Sequence, residues 1–215
     1  MKHATFRPRF GHGPLLLALG GLLASGLAQA ADALPTIQQQ WAHCQYQETG
    51  KAKESCLETL SAQAEQASAK EAFRTDLLIW SAIVKSTWAG AKGGLGALSL
   101  VKEAKAKLEI AIKQDPKALE GSAYTSLGSL YYQVPGWPVG FGDDDKAEQL
   151  LKQALAINPT GIDPNFFYGD FLLDQGDKAQ AKIYLDKALA APARPGREVA
   201  DEGRRMEIRE RLAKL

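Results

Sequence analysis

The chain has 215 residues, of which 45% are hydrophobic and 24% charged, and its formal net charge is +1. Such a length argues for about one domain, and the apolar share is enough for a packed core, which sets disorder aside. A charge this close to neutral gives no basic stripe to displace counterions from nucleic acid and no strongly basic helix for a membrane surface.

In chain order, Lys2, Arg7 and Arg9 make a basic start, and Leu15 to Leu27 is an uncharged apolar run of 13 residues. Ala28-Gln29-Ala30 follows, small at both specificity positions. This pattern predicts a signal peptide over residues 1–30, cleaved after Ala30, and export to the periplasm. The run falls short of the ~20 residues that span a bilayer, and an uncleaved anchor is the alternative reading. Cleavage would leave 23 basic and 25 acidic side chains, a net charge of −2.

The only cysteines are Cys44 and Cys56. Thr49-Gly50-Lys51 reads as a turn between two helices, and each cysteine lies six residues from Gly50. Antiparallel helices would bring such positions face to face, so one disulfide is expected in an oxidising compartment. Two buried free thiols are the alternative.

From Tyr124 onward the chain repeats. Tyr124-x2-Leu127-Gly128-x2-Tyr131, Ala147-x3-Leu151 and Pro159 form one unit. Asn165-x2-Tyr168-Gly169-x2-Leu172, Ala181-x3-Leu185 and Pro192 form the next. Ala147 to Ala181, Leu151 to Leu185 and Ala154 to Ala188 are each 34 residues apart. The pattern and period match the tetratricopeptide signature. A looser unit runs from Trp80-x2-Ile83 through Ala104-x3-Leu108-x2-Ala111 to Pro116, and a degenerate one begins near Trp41. Small residues let helices cross closely, and one unit cannot bury its apolar face alone. The expected fold is therefore all-α, a stack of helical hairpins with three to four repeats. The boundaries read as a degenerate hairpin over 31–68, repeats over 69–117, 118–160 and 161–193, and a charged, solvated capping helix over 194–215.

Two hairpins are stretched. Tyr131 to Ala147 spans 16 positions and Thr87 to Ala104 spans 17, against nine in the standard repeat. Both extra segments are expected as loops on one edge of the stack. One holds Gln133, Trp137 and Phe141 among prolines and glycines, and the other begins at Trp88. Trp137 and Phe141 either plug their own hairpin or rim a ligand site. A second candidate surface is the inner helix face, where Ser122, Thr125, Ser129 and Tyr132 fall in line and Asp163, Phe166, Asp170 and Leu173 are their equivalents. A Tyr, a Phe and an Asp on one groove suit a mixed apolar and polar ligand.

Catalytic signatures are lacking. His43 and Cys44 are adjacent and point to different faces of a helix, which makes no dyad. No four ligands cluster for zinc, and no phosphate loop or nucleophile elbow occurs. Gly94-x-Gly96-x-x-Ser99 lacks a preceding strand, and Asp143-Asp144-Asp145 suits a helix N-terminus better than a calcium loop. No enzymatic activity, metal or cofactor is expected.

The runs Ala89-Gly90-Ala91-Lys92-Gly93-Gly94-Leu95-Gly96-Ala97-Leu98-Ser99-Leu100 and Tyr131-Tyr132-Gln133-Val134-Pro135-Gly136-Trp137-Pro138 resemble periplasmic tetratricopeptide proteins of the TRAP-transporter T-component type. The resemblance covers roughly residues 40–212. It implies a water-soluble helical stack outside the cytoplasm that partners a periplasmic solute-binding protein in uptake of small organic ligands. Those proteins are often lipid-anchored through a cysteine, and none follows this apolar run, so no anchor is carried over. The functional expectation is a partner-binding protein. A binder of a small, partly apolar ligand and a structural envelope component are the alternatives.

Overall fold

The computed structural model describes residues 33–215 and Met1; the expected signal segment and its cleavage point lie outside the described residues. Nine α-helices are formed among them. Four hairpins come first: α1 (Ala33–Tyr46) with α2 (Gly50–Lys70), α3 (Thr75–Lys92) with α4 (Gly94–Gln114), α5 (Ser122–Gln133) with α6 (Asp144–Ile157), and α7 (Ile162–Asp174) with α8 (Lys178–Leu189). The last helix is α9 (Glu198–Leu212). No strand forms among the described residues, where the one β-bridge joins Gly136 to Gly142 in a loop. Nor is any described helix long and apolar enough to cross a membrane. The architecture is an all-α solenoid of the tetratricopeptide type.

The repeated small residues explain the stacking. Ala147, Leu151 and Ala154 of α6 are fully buried, and so are Ala181, Leu185 and Ala188 of α8. A Cβ on Gly128 would lie 2.8 Å from Leu151 Cγ, and one on Gly169 would lie 2.9 Å from Leu185 Cγ. The same leucine thus seats on the same glycine in successive repeats. Ala104, Leu108 and Ala111 give α4 the same buried triple. Helices α1, α3, α5 and α7 touch in succession and form the inner layer. Lys85 of α3 is 4% exposed and is held by Glu65 of α2 at 2.9 Å and Glu103 of α4 at 2.6 Å. In the first hairpin a disulfide joins Cys44 to Cys56, with Cα atoms 5.6 Å apart. On the chain-entropy argument, closing a loop of this size stabilises by about 3 kcal/mol.

Two regions differ from the sequence reading. The first is the stretch from Trp88 to Gly96, which is not a loop. Helix α3 runs on to Lys92 and α4 starts at Gly94, leaving a turn at Gly93 and Gly94, with φ of 65° and 62°. Ala, Leu and Lys are strong helix formers, and no proline stands in this stretch to stop them. The extra residues therefore lengthen both helices.

The second is α9, which caps the last hairpin as expected but is less solvated than its charge suggests. It packs against α7 and α8 of the last hairpin and also against α1 of the first. Ala200 joins the apolar cluster of Ile37, Trp41 and Trp80, and Ile208 joins that of Phe166 and Leu185. A Cβ on Gly203 would lie 2.3 Å from the ring of Tyr46 in α1, so the close approach needs glycine. Arg204, Glu207 and Arg211 reach partners on other helices, while Glu202, Arg209 and Glu210 stay in solvent.

Candidate functional site

The four inner helices and the segment leading into α9 line a half-open cavity of about 1060 Å³. Gln38 and Trp41 of α1, Trp80 and Ile83 of α3, Ser122, Thr125 and Ser129 of α5, and Asp163, Phe166 and Asp170 of α7 line it. Arg194, Arg197, Arg204 and Arg211 face them from the C-terminal segment. The wall is thus polar on α5, aromatic on α1 and α3, and charged where α7 meets α9.

Asp163 is the hub of the charged part. Its two oxygens accept from Arg194 Nη1 at 2.6 Å and from Arg204 Nε at 2.9 Å. Arg194 also reaches Asp201, through Nη2 at 2.6 Å and through its backbone N–H at 2.8 Å. Arg204 donates to Glu207 at 2.5 Å, and its guanidinium lies 4.4 Å from the Phe166 ring centre and 4.7 Å from that of Phe167. Tyr46 donates to Glu207 at 3.4 Å, which ties α1 to α9. Burial alone would raise the Asp163 carboxyl, but the guanidiniums of Arg204 and Arg194 outweigh it and hold the group well below the usual carboxylate range.

The residues proposed from sequence fall into two sets. Tyr132 donates to Asp170 at 2.8 Å and receives a hydrogen bond from Gln133 Nε2 at 3.1 Å. Arg211 of α9 donates to the same carboxylate. Burial, and after it the Asp170 charge, push the Tyr132 phenol well above its ordinary value. Gln133, Phe166 and Asp170 line the cavity, with Phe166 only 3% exposed. Tyr132 supports the wall from behind, its ring edge-on to Phe171 at 5.7 Å.

The remaining three are elsewhere. Trp88 sits within α3 rather than on a loop rim; its ring is partly buried between two apolar clusters, with Lys92 Nζ 5.4 Å above it. Phe141 folds back edge-on to Tyr131 at 5.5 Å and closes the end of its own hairpin. Trp137 does not plug anything and stands 90% exposed.

The loop that carries Trp137 is well braced. Gly142 N–H donates to Pro135 O at 3.0 Å, and Asp143 N–H donates to Tyr131 O at 2.9 Å. Cβ atoms on Gly140 and Gly142 would lie 2.3 Å from Pro135 O and 2.0 Å from Val134 O, so only glycine permits this closure. The Asp143 side chain then accepts from Lys146 N–H at 3.0 Å and caps α6.

The sequence reading missed the arginines of residues 194–211. Their charge suggested solvent, and nothing local announces that Asp163 waits 31 and 41 residues away. A faint signal was present in Gly203, a small residue within a charged helix.

A family model for the tetratricopeptide repeat matches residues 140–200, which cover the 134–143 loop's end, α6, α7 and α8. None of the curated proteins matches the chain. Tetratricopeptide repeats generally mediate protein–protein interaction. The matched segment and the hairpin geometry thus agree: residues 140–200 are similar to the tetratricopeptide repeat, and the described fold is of that type.

Proposed function

We propose that this chain is an exported periplasmic protein without catalytic activity that docks a partner protein on its outer 134–143 edge. The partner is a solute-binding protein of a TRAP-type uptake system, as the resemblance of residues 89–100 and 131–138 implies. One observation carries the choice of surface. The inner groove is spanned by the chain's own α9, while Trp137 stands 90% exposed on a loop whose backbone is closed by its own hydrogen bonds. A rigid tryptophan gives large contact area at little entropic cost and is typical of binding hot spots. The basic start, apolar run and Ala28-Gln29-Ala30 support export, and the Cys44–Cys56 bridge suits an oxidising compartment.

The test is a photo-cross-linking amino acid placed at position 137 or, as a control, at the exposed Phe73, in cells that express the protein. An adduct with a solute-binding protein from position 137 alone is expected. No such adduct at 137, or equal adducts from both positions, would reject the docking edge.

The cavity favours a second reading, a binder of a small, partly apolar organic ligand. Its volume of about 1060 Å³ and mixed wall are of the kind that takes small molecules.

A further inference from the structure

The guanidiniums around the cavity are unequally provided for. Arg194, Arg204 and Arg211 each have carboxylate partners. Arg197 has none. It lines the cavity beside them, and its guanidinium lies 4.9 Å from the Trp80 ring centre; its Nε is buried against the protein. A cation stacked on an aromatic face still keeps its donors in the guanidinium plane, where an anion can meet them. We propose that the cavity takes a small organic acid, its carboxylate on Arg197 and its carbon body against Trp41, Trp80 and Ile83. This rests on the ligand-binding reading of the cavity and is independent of docking at Trp137.

The surroundings select the charge of the ligand. Lys53, also on the wall, donates only to the Gln45 carbonyl at 2.9 Å and adds positive potential. The acids outside the ion pairs are exposed. Glu120 is held by Asn158 at 2.8 Å, and Glu210 lies 13 residues further along the chain than Arg197, about 20 Å at the helical rise. Asp163, Asp170 and Glu207 on the same wall would repel a second negative charge, which favours a carboxylate over phosphate. Burial, and then the nearby Arg194, pull the Arg197 guanidinium below its ordinary value, and a bound anion would relieve both. The edge-on pair of Trp41 and Trp80, 5.6 Å apart, supplies an apolar corner next to the charge.

Titration calorimetry on the purified full chain at neutral pH, with hexanoate and phenylacetate set against hexanamide and phenylacetamide, tests this. Both acids should bind at least about tenfold more tightly than their amides, and Arg197→Met should lose that margin while Arg197→Lys keeps part of it. Inorganic phosphate should not displace the acids. Amides that bind as well as acids, or acids that bind Arg197→Met undiminished, would overturn the Arg197 site and leave the cavity a binder of another kind. No binding by any of the four compounds would overturn the cavity reading as well. Should Arg197→Met lose its helical circular dichroism, the ratio of acid to amide on the unaltered chain decides.

Discussion

The inner face around Asp163 and the outer edge around Trp137 are built on opposite terms. On the inner face charge is abundant, partly buried and, Arg197 apart, answered within the chain, so that a carboxylate of α7 holds two arginines of the C-terminal segment. On the outer edge an apolar ring stands in solvent while the backbone beneath it is internally satisfied. The contrast separates two uses of charged and apolar groups. Buried ion pairs fix which elements meet, because a guanidinium deprived of its carboxylate in low dielectric is heavily penalised. An exposed ring on a braced loop contributes little to folding and is free for another molecule.

This contrast can be broken at graded points. Asp163→Ala should have the largest effect, destabilising by about 3 kcal/mol in chemical denaturation, because Arg204 would stay buried with Glu207 alone and Arg194 with Asp201 alone. A loss below about 1 kcal/mol would mean the network behaves as a solvated surface pair. Acid should act on the same group. The Asp163 carboxyl is depressed in the fold, so its contribution is complete above the ordinary aspartate value of about 3.9 and fades as pH falls below it. The acid limb of the unfolding profile should therefore be shallower in Asp163→Asn than in the unaltered chain.

Gly203→Val tests the closure without touching charge. Its side chain would meet the Tyr46 ring, and a loss of about 2–3 kcal/mol in thermal unfolding is expected as α9 is pushed off α1. Phe141→Ala should cost about 2 kcal/mol, since it unplugs the hairpin end against Tyr131. Trp137→Ala closes the series, with a change within about 0.5 kcal/mol and loss of partner capture. If Trp137→Ala destabilised as much as Phe141→Ala, the two rings would share one structural role and the outer edge would lose its distinction.

The stack itself was legible in the sequence because its physics is local and periodic. Gly128 and Gly169 must be small where Leu151 and Leu185 seat, and the 34-residue spacing repeats that need. Inner-face positions such as Ser122, Thr125, Phe166 and Asp170 followed from helical geometry alone. The stretch from Trp88 to Gly96 misled because four glycines at 90, 93, 94 and 96 suggest a loop. Only Gly93 and Gly94 use left-handed backbone, and the alanines, leucines and lysines around them sustain helix. The role of α9 was hidden for a different reason. A helix rich in Arg and Glu is ordinarily solvated, and its burial becomes sensible only when the superhelix brings Asp163, Asp170 and Tyr46 to it from distant repeats.

Amide hydrogen exchange over residues 198–212 of the full chain tests the closed inner face most directly. The amides of Arg204 and Ile208 should exchange as slowly as those of Leu127 and Leu151 in the central repeats. Exchange of the whole α9 segment within seconds, while the four hairpins stay protected, would contradict the closure and return the groove to outside partners.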